Sequence, residues 1–192
     1  MTTRHKRAAA ALSGAVALVL ALAGCGGDGD DKAPSPPSAQ ASTPAPSTSA
    51  ADPQAAEKAA VLAVYSSMSA EQMKAYRKAD AKGTDLEKYA TAKALGQIRN
   101  DLARMKEAGT VVRGEIGHDA KVTGIDLEAE MPKATLSDCV DLSKYERYSI
   151  KRQEPIPLPT EQPLRYIMTV QAEQWNGRWM VTAINPQGGP TC

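Results

Sequence analysis

Hydrophobic positions divide this chain into three stretches that follow different rules. A basic head, Arg4, His5, Lys6 and Arg7, leads into an apolar run from Ala8 to Ala23. From Gly26 to Ala51 there is no Val, Ile, Leu, Met or aromatic residue at all. From Asp52 onward the hydrophobic residues return with a period. Val61, Leu62, Val64, Tyr65, Met68, Met73 and Tyr76 recur at spacings of three and four, which predicts an amphipathic helix. Asp52-Pro53 suits its start, and Ser69-x-x-Gln72, a capping-box pattern, predicts a break within it. Thr84-Asp85-Leu86-Glu87 opens a second helical region through Tyr89, Leu95, Ile98, Leu102 and Met105, interrupted at Gly96 and closed by Gly109.

After Gly109 the period shortens to that of a strand. Val112, Gly114 and Ile116 alternate with charged residues, and Val122 to Leu127 and Ala134 to Val140 read as further strands. The prolines at 155, 157 and 159 make residues 151–162 a loop or a poorly paired edge. Leu164 to Trp175, Asn176-Gly177 and Arg178 to Ile184 form a hairpin signature with a type I′ turn. Pairing Trp175 with Arg178 places Ala172 opposite Val181 and Val170 opposite Ala183. Met168, Val170, Ala172, Trp179, Val181 and Ala183 then share the core side. Helices first and strands afterwards predict an α+β domain over residues 52–192, with the N-terminal helices packed on a curved antiparallel sheet.

Three stretches give this order of elements a likeness: Leu95-Gly96-Gln97-Ile98, Asp138-Cys139-Val140-Asp141 and Trp175-Asn176-Gly177-Arg178-Trp179. With them, residues 53–192 resemble the nuclear transport factor 2-like (ketosteroid isomerase-like, cystatin-related) fold. More narrowly, the domain resembles small secreted Gram-positive lipoproteins of that fold, in which a cysteine in an Asp-Cys-Val-Asp strand pairs with one at the C-terminus. The resemblance implies a cone-shaped sheet wrapped around a pocket and closed by helices.

The N-terminal stretches carry a second resemblance. The run from Ala8 to Ala23 falls short of the roughly 20 residues that span a bilayer, and its length suits a signal peptide over residues 1–24. Leu22-Ala23-Gly24-Cys25, followed by Gly26-Gly27-Asp28, resembles the lipobox of bacterial lipoproteins. In that family the signal is cut before the cysteine, so Cys25 is expected to be the lipidated first residue, carrying palmitate-type acyl chains. Arg4 and Arg7 are not adjacent, which favours the general secretory route over twin-arginine export. Two or more acyl chains make a stable anchor where one is marginal. The expected location is the outer face of the cytoplasmic membrane, facing the cell wall. Residues 25–51, rich in Pro, Ser, Ala and Thr, are expected to form a disordered tether, averaging about 28 Å end to end as a flexible coil. A proline-rich docking peptide is the alternative use of that segment.

Charge narrows the function. With the three basic residues of the head set aside, 20 Lys and Arg face 22 Asp and Glu, scattered along the chain. Nucleic-acid binding is therefore not expected. Cys139 and Cys192 remain as an even pair in an oxidising compartment, which points to a disulfide. Its closed loop is worth about 4 kcal/mol in the chain-entropy model. Free thiols and a metal pair are the alternatives, though two cysteines and one distant histidine make a poor metal site.

No Ser-His-Asp set, metal-ligand cluster or Gly-rich phosphate loop appears, and neither a cofactor nor a metal is expected. His118 sits in Gly117-His118-Asp119, which reads as an exposed turn, and Asp138 and Asp141 are expected to face solvent. Tyr65, Tyr76 and Tyr89 are expected to pack their rings and keep their hydroxyls at water. The expected function is noncatalytic. It is that of a membrane-anchored module that binds an envelope protein partner or supports envelope assembly, with Trp175 at the hairpin tip as a candidate contact. The alternative is a pocket protein that binds, or converts, a small apolar ligand between Tyr65, Met68 and Tyr76.

Overall fold

The computed structural model describes residues 52–188 and 191–192. The expected signal peptide, the expected lipidation site Cys25 and the expected tether to residue 51 lie outside the described residues. Within them the chain is α+β, with three helices preceding seven strands.

Helix α1 (Ala55–Tyr76) is long because nothing in it resists. It contains neither Gly nor Pro, and Ala, Glu, Lys, Gln and Met dominate its sequence. The expected break at Ser69 does not occur. Ser69 is buried and the helix runs through it, since packing outweighs a local capping pattern. At the N-terminus, Asp52 accepts bonds from the Gln54 backbone N–H (2.8 Å) and from Lys58 Nζ (2.6 Å).

The second helical region does divide, but earlier than Gly96. Helix α2 (Leu86–Tyr89) stops at Ala90, which forms a parallel bridge with Val181, and the Thr91 N–H donates to the Val181 carbonyl at 2.9 Å. A tertiary contact thus sets the break. Helix α3 (Ala92–Ala108) then carries Gly96 without interruption and ends at Gly109, whose φ of 63° is a left-handed cap.

The strands form two antiparallel sheets. In the first, β1 (Thr110–Gly114) pairs with β4 (Tyr145–Ser149), and β4 with β5 (Glu154–Ile156). Strand β5 is the short, proline-bearing edge. In the second, β2 (Gly117–Asp126), β3 (Lys133–Asp141), β6 (Arg165–Trp175) and β7 (Arg178–Pro186) lie in that order. Gly114 turns the chain from one sheet to the other. Its φ is 74°, and a Cβ there would sit 1.8 Å from the Lys144 carbonyl oxygen.

The hairpin forms with Trp175 opposite Arg178 and Ala172 opposite Val181. A bulge between Gln171 and Ala172 then shifts the register, so Val170 meets Ile184 and Ala183 meets Gln171 instead. Helices α1 and α3 lie against β7. Val61, Ile98, Leu136, Val170 and Val181 close this part of the core with essentially no exposure. Trp179 joins the layers through its indole N–H, which donates to Glu57 of α1 at 2.8 Å. A disulfide links Cys139 on β3 to Cys192 and pins the C-terminus to the four-stranded sheet.

Candidate functional site

The core does not close everywhere. Between the later half of α1, the middle of α3 and the two sheets lies a cavity of about 370 Å³. Met68, Val140, Leu142, Met168 and Ile184 give it apolar walls, while Leu158, Pro159 and Gln162 border it from the segment before β6. Tyr65, Met68 and Tyr76 all line it. A groove between α1 and β2 adjoins it, sharing Tyr65, Ile116 and His118 as a common wall.

One wall carries a cluster of titratable groups. Asp138 has 0 % exposure. Strand parity puts it there, since Ala134, Leu136 and Val140 of β3 share its buried face. His118 lies opposite Val140 in the β2–β3 pairing, two pairs along from Asp138 and on the same face. The Tyr65 hydroxyl donates to Asp138 Oδ2 at 2.7 Å, and His118 Nδ1 meets the same oxygen at 2.7 Å. The Tyr65 and His118 rings stand edge to face at 84°, with centroids 5.6 Å apart. Asp138 Oδ1 is buried with no partner among the described residues. Burial first, and the adjacent Asp138 carboxylate second, hold the Tyr65 phenol far above its ordinary range.

These placements correct three expectations. His118 belongs to a strand, and its side chain is only 25 % exposed. Gly117-His118-Asp119 is turn-like only until β3 pairs with it. Asp138 faces the interior, because its neighbours on both sides in the alternation are core residues. The hydroxyls of Tyr65 and Tyr76 bond to carboxylates rather than water. Tyr89 is half-buried, and Asp141 accepts a bond from the Ser143 N–H at 2.8 Å.

A second tyrosine–aspartate pair stands nearer α3. Tyr76 donates to Asp101 Oδ2 at 2.8 Å and accepts from Gln72 Nε2 at 2.9 Å. The other oxygen of Asp101 is bonded to Arg104. Burial leads the upward shift of the Tyr76 phenol too. Tyr145 and Tyr166 also line the cavity, and burial raises both, with the Arg147 charge opposing the rise at Tyr145.

Chemically, the arrangement offers an apolar chamber with hydroxyls at its walls. It also offers an imidazole whose Nδ1 is committed to a buried carboxylate. The fixed Nδ1 leaves Nε2 to accept or donate a proton, according to the charge on the ring. Asp101, His118, Asp138 and Arg147 were not among the residues expected to line a site. Only Asp138 carried a usable signal, its place in an alternating run of core residues. Among the described residues no group of three or more His, Cys, Asp or Glu could hold a metal ion. No helix among them is long and apolar enough to cross a membrane. Trp175 is 41 % exposed at the hairpin tip, with its indole N–H on Glu173 at 3.0 Å.

No protein-family model matches the chain, and no curated protein matches it. Among solved structures, it is similar to the intermembrane space region of the chloroplast protein ARC6. That match covers 69 % of this chain and 97 % of the other, with a TM-score of 0.46 and 11 % identity.

Proposed function

We propose that this chain is an extracytoplasmic lipoprotein, anchored by acyl chains on Cys25, whose nuclear transport factor 2-like domain binds a small apolar ligand in its cavity. The observation that carries the ligand-binding reading is the chamber of about 370 Å³ left open between the helices and the two sheets. That volume lies in the range of small-molecule sites, and the mix of apolar wall with a few fixed polar groups is their usual lining. A protein-docking role for the domain has behind it singly exposed apolar side chains, such as Trp175 at the hairpin tip and Ile150 after β4, and such residues are common on protein surfaces.

Native mass spectrometry of residues 26–192, exported from a bacterial host with the disulfide intact, tests the binding reading. A non-protein mass that is retained natively and lost on denaturation is the expected result. An empty cavity that also refuses added apolar compounds overturns it. The anchor has its own test: Cys25→Ala should change the mass of the protein, since the acyl chains and the cut before residue 25 both depend on that cysteine, and unchanged mass and partition would refute the lipid.

A second reading, conversion of the ligand, draws on one observation, the His118 ring held by Asp138 at the cavity wall. Acid–base chemistry at that ring would appear as deuterium uptake into the bound compound in D₂O, abolished by Asp138→Asn. A compound returned unchanged and unlabelled leaves binding alone.

A further inference from the structure

Resting on the ligand-binding reading, we infer that the cavity takes a single-chain amphiphile whose anionic head, a carboxylate or a phosphate, is held by Arg147.

Strand pairing sets the position of this arginine. Arg147 lies opposite Val112 across the β1–β4 ladder and opposite Ile156 across β4–β5. Directly paired residues share a sheet face, and Val112 is 2 % exposed in the core, so Arg147 stands on the interior side. It is half-buried and lines the cavity two residues from Tyr145.

The other charged residues that line the cavity are already answered. Asp101 has Tyr76 on one oxygen and Arg104 on the other, and His118 has Asp138. Arg147 makes no ion pair with a carboxylate of the described residues. While the chamber is wet, water suffices for its guanidinium. An apolar ligand that fills the chamber strips that water, and a charge losing hydration without gaining a partner is costly. A guanidinium also presents a fork that fits two oxygens of one anion, a geometry shared by carboxylate and phosphate heads. The apolar part of such a ligand has Met68, Val140, Leu142, Met168 and Ile184 to lie against.

The test compares four decyl compounds by isothermal titration, below their micelle concentrations, on residues 26–192 with the disulfide intact. They are decanoate, decyl phosphate, decan-1-ol and decyltrimethylammonium. The two anions should bind about 10- to 100-fold more tightly than the alcohol, as a charge-assisted bidentate contact does. The cation should bind most weakly. Whichever anion binds more tightly identifies the head.

Arg147→Met should bring both anions to the level of the alcohol while the alcohol itself is unchanged, and Arg147→Lys should keep part of the preference. Alcohol and anions binding equally, or the cation binding best, overturns the anion site and leaves the pocket standing. So does an Arg147→Met protein of unchanged melting temperature that keeps the full preference for the two anions. If none of the four binds, the pocket reading itself fails.

Discussion

Tyr65 and Tyr76 stand eleven positions apart on α1, about three turns, which brings them to one face of the helix roughly 16 Å apart. Each gives its hydroxyl proton to an aspartate, yet the two pairs are built differently. Asp101 is 31 % exposed at its side chain and has Arg104 as a cation beside it, with Gln72 completing the hydrogen bonds of Tyr76. That pair ties α1 to α3 and leaves its charge satisfied. Asp138 has no exposure, no arginine or lysine, one orphaned oxygen, and two donors converging on the other. A purely structural tie has no need of so costly an arrangement. The contrast separates a strut from a site, since buried polar groups left incompletely hydrogen-bonded gather where ligands bind.

Removing the two carboxylates is the hardest test of that contrast. Asp138→Ala takes the shared acceptor from the Tyr65 hydroxyl and His118 Nδ1 and leaves a gap at a fully buried position, which should cost about 2–4 kcal/mol in urea denaturation. Asp101→Ala should cost no more than about 1 kcal/mol, because water reaches the groups it deserts. Equal costs would mean that the two pairs are both struts.

A smaller change keeps the carboxylates and removes the phenols. Tyr65→Phe takes from the buried Asp138 one of its two donors, at a cost of about 1–3 kcal/mol. Tyr76→Phe leaves Asp101 with Arg104 and should cost about 0.5–1 kcal/mol. Melting curves of the two variants read the difference. With a retained ligand in hand, Tyr65→Phe should also weaken its binding more than Tyr76→Phe, since only the former loosens His118.

The two pairs were unequally legible in the sequence. The helical face that bears both tyrosines follows from the spacing of Val61, Tyr65, Met68 and Tyr76, and the Asn176-Gly177 turn follows from its two positive-φ residues. Asp138 was legible in principle. Its parity with Ala134, Leu136 and Val140 pointed inward, and the habit of placing charge at solvent pointed outward. His118 was not legible, because Gly117 and Asp119 give it a turn-like surrounding and only the pairing with β3 makes it a strand. Strand β4 and with it Arg147 escaped for a related reason: Tyr145, Arg147 and Ser149 turn inward although two of them are polar. The bulge at Gln171–Ala172, which resets the partners of β7, leaves no local mark at all. Non-local pairing decided each of these features, and a periodicity read along one strand does not contain it.

The smallest expected effect comes from alkali. Both phenols are held above the ordinary value of 10.0, chiefly by burial. A folded-state value raised in this way leaves stability untouched while both states keep the proton, below about pH 10. Above it the unfolded chain releases the proton and the folded chain does not, so stability falls as pH rises. At pH 10.5 each phenol should remove a little under about 1 kcal/mol, and the loss should grow with each further step. Ultraviolet titration should show Tyr65 and Tyr76 as the last of the six tyrosines to ionise, coming up only with unfolding. Tyr65→Phe and Tyr76→Phe should each flatten the fall of stability between pH 10 and 11 by one phenol's share. Here the two positions should behave alike, because burial, which they have in common, sets this property. If only Tyr65→Phe flattened the curve, Tyr76 would be open to water in solution, and its pairing with Asp101 would be looser than a strut requires.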